Sequence, residues 1–224
     1  DSNGGVYIVW QGDIVSNTSD IFVQHYNQDG DISFSENGLE ISNAQNDQIA
    51  PLVRDDGSGG ALVLWQDQRS GSIGIYVQSV DPVNGNKLTT NGLELFYGMD
   101  GYGSFNSEFK TTYLGSDETV LIWQDTRYGN QTYVDGNNYS TEIAFGSIIG
   151  INGYDSENSN GFQFSDFHTQ LHPLLTKISD KYILSFIGKY DIDEGGDPAL
   201  MVDVLDNSYQ TTISTGATAI DIVD

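Results

Sequence analysis

Short apolar runs alternate along this chain with stretches rich in Gly, Asn and Asp. Three of the runs, Val6-Tyr7-Ile8-Val9-Trp10, Leu62-Val63-Leu64-Trp65 and Val120-Leu121-Ile122-Trp123, end in a tryptophan that is followed by Gln. Their length and their aliphatic and aromatic content predict strands. They are apolar at successive positions rather than alternate ones, so both faces are expected to be buried. A two-layer β-sandwich, the alternative fold, leaves one face wet. Four-stranded sheets stacked around an axis bury both faces, which is the β-propeller arrangement.

The runs belong to a repeat with a spacing of about 60 residues. A fourth copy reads Ile183-Leu184-Ser185-Phe186, with Phe in place of Trp. Other markers keep the same order. Ile21-Phe22-Val23-Gln24 matches Ile75-Tyr76-Val77-Gln78, and Asn37-Gly38-Leu39-Glu40 matches Asn91-Gly92-Leu93-Glu94 and Asn160-Gly161-Phe162-Gln163. Gln48-Ile49-Ala50-Pro51 returns as Gln170-Leu171-His172-Pro173. The expected units are residues 1–47, 48–107, 108–169 and 170–216 within a single domain. Each holds a strand after the Pro, a strand ending at Trp or Phe, a strand such as Ile75-Tyr76-Val77-Gln78, and a fourth strand. Asp29-Gly30, Asn84-Gly85 and Asn152-Gly153 signal the hairpin before that fourth strand. Residues 217–224 resemble a first strand, which leaves open a closed four-bladed ring or a window on a longer array.

Composition narrows the partners. The 224 residues carry 32 acidic and 8 basic side chains, a net charge of −24, which disfavours nucleic acid and anionic membranes. There is no Cys, so disulfides, thiolate catalysis and Cys-ligated zinc are excluded. No apolar run is long enough to span a bilayer as a helix, and no signal peptide is visible.

Gly59-Gly60 leading to Trp65-Gln66-Asp67-Gln68-Arg69, and the matching Trp123-Gln124-Asp125-Thr126-Arg127, resemble the Trp- and Asp-rich propeller repeats of large secreted bacterial surface proteins of the Bacteroidota type, exported by type IX secretion. The resemblance covers the first two and a half units; the fourth lacks Trp, Gln, Asp and Arg at the matching places. It implies a propeller fold and a secreted or cell-surface location, and it implies no activity.

The recurrent Asp67 with Arg69, and Asp125 with Arg127, are expected to be structural, because a residue that returns in each unit serves the unit. His25, His168 and His172 show no metal-ligand spacing, and no Gly-x-Ser-x-Gly elbow, His-Glu-x-x-His motif or phosphate loop occurs. Two expanded loops depart from the repeat. One includes Tyr97, Asp100, Tyr102 and Phe105, the other Tyr128, Tyr133, Asp135 and Tyr139. Both follow a second or fourth strand in neighbouring units, so they are expected on one face as a platform for stacking on and hydrogen-bonding a glycan or peptide. Asp191, Asp193, Glu194 and Asp197 form a candidate calcium loop, whereas Asn27, Asp29 and Asp31 are explained by turn geometry. The resulting expectation is a non-catalytic extracellular binding or adhesion module for glycan or protein. A glycan-active hydrolase on a propeller scaffold and a structural spacer in a giant repeat protein are the alternatives.

Overall fold

A computed structural model describes residues 1–13, 18–86, 88–97, 109–115, 118–125, 130–132, 138–140, 143–150, 153–154, 162–164, 171–189, 198–206 and 218–220. All regular structure among them is β. The first sheet holds β1 (Val6–Gly12), β2 (Asp20–Tyr26) and β3 (Leu39–Ser42) in that order. The second holds β4 (Gln48–Asp55), β5 (Ala61–Asp67) and β6 (Gly74–Asp81), with both β7 (Gly85–Asn86) and β8 (Leu93–Tyr97) paired to β6. The third holds β9 (Phe109–Gly115) and β10 (Glu118–Asp125). A separate hairpin, β11 (Asn130–Thr132) with β12 (Asn138–Ser140), intervenes before the third sheet resumes at β13 (Ile143–Gly150), which pairs with β14 (Gly153–Tyr154) and β15 (Phe162–Gln163). The fourth runs β16 (Leu171–Ile178), β17 (Lys181–Lys189), β18 (Pro198–Leu205) and β19 (Thr218–Ile220). Neighbours pair antiparallel, as hairpin-connected strands do.

The repeat is visible in the register. Trp10 faces Phe22, Trp65 faces Tyr76 and Phe186 faces Met201 across the corresponding strand pairs. The chain divides into two compact units, Asp1–Gly98 with Ile149–Asn160, and Met99–Ile148 with Gly161–Asp224. In the first, Tyr7, Ile21, Val23 and Ile41 of the first sheet pack on Ala61, Val63, Trp65 and Tyr76 of the second. In the second, Val120, Ile122 and Phe164 pack on Leu175, Tyr182, Leu184, Phe186 and Met201. Both cores are built alike: the face of one sheet that carries the Trp or Phe lies on the opposite face of its sister.

Burial on both faces holds for β5, whose seven residues are all buried, but not for every second strand. In β1, Val6 and Ile8 are 51% and 48% exposed. Along β17, buried Tyr182, Leu184 and Phe186 alternate with less buried neighbours, and Ile187 is exposed. β1 is an edge strand among the described residues, and in β17 it is the Tyr182, Leu184 and Phe186 face that packs on the sister sheet of its unit.

The prolines also sit differently from the sequence expectation, inside the first strands rather than before them. Pro51 and Pro173 lie where the ladders of β4 and β16 are interrupted, between Ile49 and Leu52 and between Leu171 and Leu174. Proline has no N–H to give the ladder, so the strand bulges there. The preceding Ala50 and His172 take the same unusual backbone, at φ 51° and 52°. Of the expected closing segment, Thr218–Ile220 pair with Leu200–Val202 as the outer strand of their own sheet, and residues 221–224 lie outside the described residues.

Gly92 shows how tightly the repeat is fitted. Its φ is 78°, and a Cβ there would run into the Trp65 indole and stand 2.8 Å from the Val77 carbonyl. Gly92→Ala should therefore cost at least about 1–2 kcal/mol from the left-handed backbone alone. A chemical denaturation midpoint equal to that of the parent would contradict this.

Candidate functional site

The Trp-Gln-Asp-x-Arg motif of the second sheet is a closed hydrogen-bond network. The Trp65 indole N–H donates to Asp67 Oδ2 at 2.8 Å. The Arg69 guanidinium donates to both carboxylate oxygens, Nη2 to Oδ2 at 2.6 Å and Nε to Oδ1 at 2.9 Å. Its Nη2 also donates to the Asn91 carbonyl at 2.8 Å, and the group lies 4.0 Å from the Tyr76 ring centroid. Asp67 is 1% exposed, and these donors make its burial as an anion tolerable. The pair ties β5 to the Asn91-Gly92 turn, the structural role expected from its recurrence. Gln24 and Gln78 act similarly. Each carboxamide donates to the loop before the fourth strand, at the Ser35 and Thr89 carbonyls, and accepts the N–H of Phe34 or Leu88.

Of the expected ligand platform, Tyr97 ends β8 and Tyr139 lies in β12. Asp100, Tyr102, Phe105, Tyr128, Tyr133 and Asp135 lie outside the described residues, as do Asp191, Asp193, Glu194 and Asp197 of the calcium loop. Among the described residues no three His, Asp or Glu side chains come together as a metal site. Asn27 Oδ1 accepts the N–H groups of Asp29 and Asp31 at 2.9 and 2.8 Å, so this segment is the turn that its residue types predicted.

Two arrangements were not anticipated. The first lies on the Trp10 face of the first sheet. Trp10 and Phe22 stack with centroids 5.9 Å apart and planes 19° from parallel. Trp65 and Trp123 are sealed at 0% exposure, but Trp10 stays half-buried, so indole surface remains available. Asp20 follows on the same face, two residues before Phe22, and Glu40 stands across from Phe22 on β3. Asp20 is 8% exposed. Burial, and then the charges of Glu40 and Asp13, push its carboxyl above the usual value of 3.8. One buried carboxyl with a raised pKa thus lies near two exposed ones, beside an aromatic pair.

The second arrangement joins Asp1, His25 and Ser33. Asp1 Oδ2 lies 2.6 Å from His25 Nε2, and Ser33 Oγ lies 2.7 Å from His25 Nδ1. The Tyr7 ring packs against the imidazole at 4.4 Å. A signal for this group existed in the repeat. Asp1 corresponds to Asp56, and the residue after the shared Gln is His25 in one unit and Ser79 in the next.

No family model matches the sequence, and no curated protein is similar to it. Among solved structures, the chain is similar to an endo-arabinase from Bacteroides thetaiotaomicron, at 11% identity and a TM-score of 0.48, covering 100% of this chain and 78% of that one. It is also similar to the GH43_1 enzyme from Xanthomonas citri complexed with xylose, at 12% identity and a TM-score of 0.44, covering 96% and 70%. The same enzyme complexed with xylotriose aligns at 13% identity and a TM-score of 0.42. The expectation that this chain is not an enzyme is corrected here, because the structures it resembles are enzymes. The absence of familiar catalytic motifs was no ground for excluding one. At these identities the likeness by itself assigns no activity.

Proposed function

We propose that this chain is a glycan-active hydrolase module whose sheets are the blades of a propeller, with Asp20 as general acid, Glu40 as its carboxylate partner and Trp10 as a sugar-stacking surface. The observation that carries the reading is the buried carboxyl of Asp20, with Glu40 close enough to raise its pKa, on the face where Trp10 stays half-open. Glycosidic cleavage needs a carboxylic acid that holds its proton to give to the leaving oxygen. It also needs a second carboxylate across the bond and an apolar plate for the sugar ring. Glu40 raises the Asp20 pKa by its negative charge, and the two therefore take opposite roles. The stacking of homologous sheets within each unit supports a propeller-like arrangement, and the first sheet packs on its sister through its Tyr7 face and not through the Trp10 face proposed as the site. The bacterial surface setting rests on the resemblance of the Trp-Gln-Asp-x-Arg repeats.

Reducing-sugar release from a panel of arabinose-, xylose- and glucose-based polysaccharides tests the proposal. Asp20→Asn should lower the turnover of the cleaved polymer by about 100-fold or more, the usual contribution of a general acid. Glu40→Gln should lower it comparably, and Trp10→Ala should act mainly on KM. With Asp20 as the acid, turnover should fall as pH rises through its raised pKa, and this limb should vanish in Asp20→Asn. No release from any polymer, or full turnover by Asp20→Asn, would reject the assignment.

A further inference from the structure

The Asp1, His25 and Ser33 chain lies on the first sheet but uses none of the residues proposed for glycan cleavage. A carboxylate at Nε2 fixes the imidazole proton on that nitrogen. Nδ1 is then left as an acceptor for the Ser33 hydroxyl. Each member is held. Asp1 Oδ1 accepts the N–H groups of Asn3 and Gly5 at 2.9 and 2.7 Å, so the carboxylate cannot swing away. His25 is 5% exposed and packs on Tyr7, and burial, followed by the charge of the Asp1 ammonium, lowers its pKa from 6.5, which favours the neutral imidazole. Ser33 N–H donates to the His25 carbonyl at 2.9 Å, which fixes the serine backbone, while Ser33 itself is exposed.

The sister sheet shows which part of this is scaffold. Asp56 caps the N–H groups of Ser58 and Gly60 as Asp1 caps Asn3 and Gly5, so the carboxylate turn belongs to the repeat. At the position of His25 the sister sheet has Ser79, which is no base. The histidine, and with it the hydrogen-bonded serine, distinguish this unit from its sister.

We propose that Ser33 is a nucleophilic serine, activated by His25 and oriented through Asp1, that accepts acyl groups from esters reaching the protein surface. Ser33 Oγ attacks the ester carbonyl carbon, and its proton passes to His25 Nδ1 as the new C–O bond forms. The tetrahedral adduct then collapses, the bond to the alcohol breaks, and His25 returns the proton to the leaving oxygen. Water repeats the sequence on the acyl-serine and restores the hydroxyl. Asp1 holds the tautomer and stabilises the imidazolium that forms.

The intact chain is incubated with a fluorophosphonate, which loses fluoride as the Ser33 O–P bond forms, and the adduct is located by peptide mass spectrometry. p-Nitrophenyl acetate reports turnover in parallel. Labelling should fall on Ser33 alone and be absent from Ser33→Ala. His25→Ala should slow it by about 100-fold, the scale of general-base catalysis, and Asp1→Asn should also slow it. If His25→Ala does not fold, the parent protein still decides through its pH profile. The labelling rate should stay on its plateau below pH 6.5 and fall only under the lowered pKa of His25. Labelling spread over several serines, or a rate unaffected by His25→Ala and Asp1→Asn, would show that the chain only clasps the Asp1 turn to β2. Glycan release by the parent and by Ser33→Ala should be equal, so either proposal can fail without the other.

Discussion

Replacing Trp65 with Ala should lower the free energy of unfolding by about 3–5 kcal/mol, the cost of emptying a large aromatic site in a packed core. Trp65 is 0% exposed, lies in the core between the first two sheets and spends its indole N–H on Asp67. Its loss removes apolar contact and one donor from a buried anion together. Equilibrium denaturation followed by circular dichroism measures the change. A midpoint within error of the parent would mean that the two sheets do not depend on this side chain. Trp10→Ala, at a half-buried site on an edge strand, should cost clearly less.

The second large effect is expected at Asp67. Asp67→Ala leaves the Arg69 guanidinium, which is 21% exposed, without its carboxylate and leaves the Trp65 N–H without an acceptor. Removing one partner of a largely buried pair costs about 3–5 kcal/mol, since the other charge stays behind. Arg69→Met, which keeps the apolar stem over Tyr76, should cost less than Asp67→Ala, because Asp67 would retain the Trp65 and backbone donors. The reverse order would show that the guanidinium is the more important member. Trp65 and Asp67 share a hydrogen bond, so the double variant should lose less than the sum of the single ones.

Much of the architecture was legible because the repeat writes itself in apolar runs and turn pairs. Asn37-Gly38 and Asn91-Gly92 precede β3 and β8 as expected, and the strands that carry Trp10 and Trp65 keep one register, each running two residues beyond its tryptophan. The structural role of Asp67 and Arg69 followed from recurrence alone. What failed was context. A run such as Val6 to Trp10 does not reveal whether its strand will end a sheet, so the exposure of Val6 and Ile8 could not be read from it. The repeat pattern placed the first strand after Pro51, yet a bulge accommodates the proline inside β4. The Asp20, Glu40 and Trp10 face and the His25 chain assemble residues far apart in sequence, and neither has a local signature. Loop length drew the sequence reading to Tyr102 and Tyr133, which lie outside the described residues; the described groups with perturbed chemistry sit on regular strands.

Gly92 and Trp65 also bear on how such a chain changes over generations. The indole sits against a backbone that only glycine fits, and Gly38 stands in the same relation to Trp10. A bulkier residue at the glycine is tolerable once the tryptophan has shrunk, and a vanished tryptophan removes the reason to keep glycine. The two positions are thus inherited as a couplet, free to drift after either partner relaxes. The third sheet adds a second fit of the same kind, in which Gly146 of β13 makes room for the ring of Phe164, the residue at the repeat position of Leu95. Repeats descended from one ancestor are therefore expected to vary in paired steps at these sites.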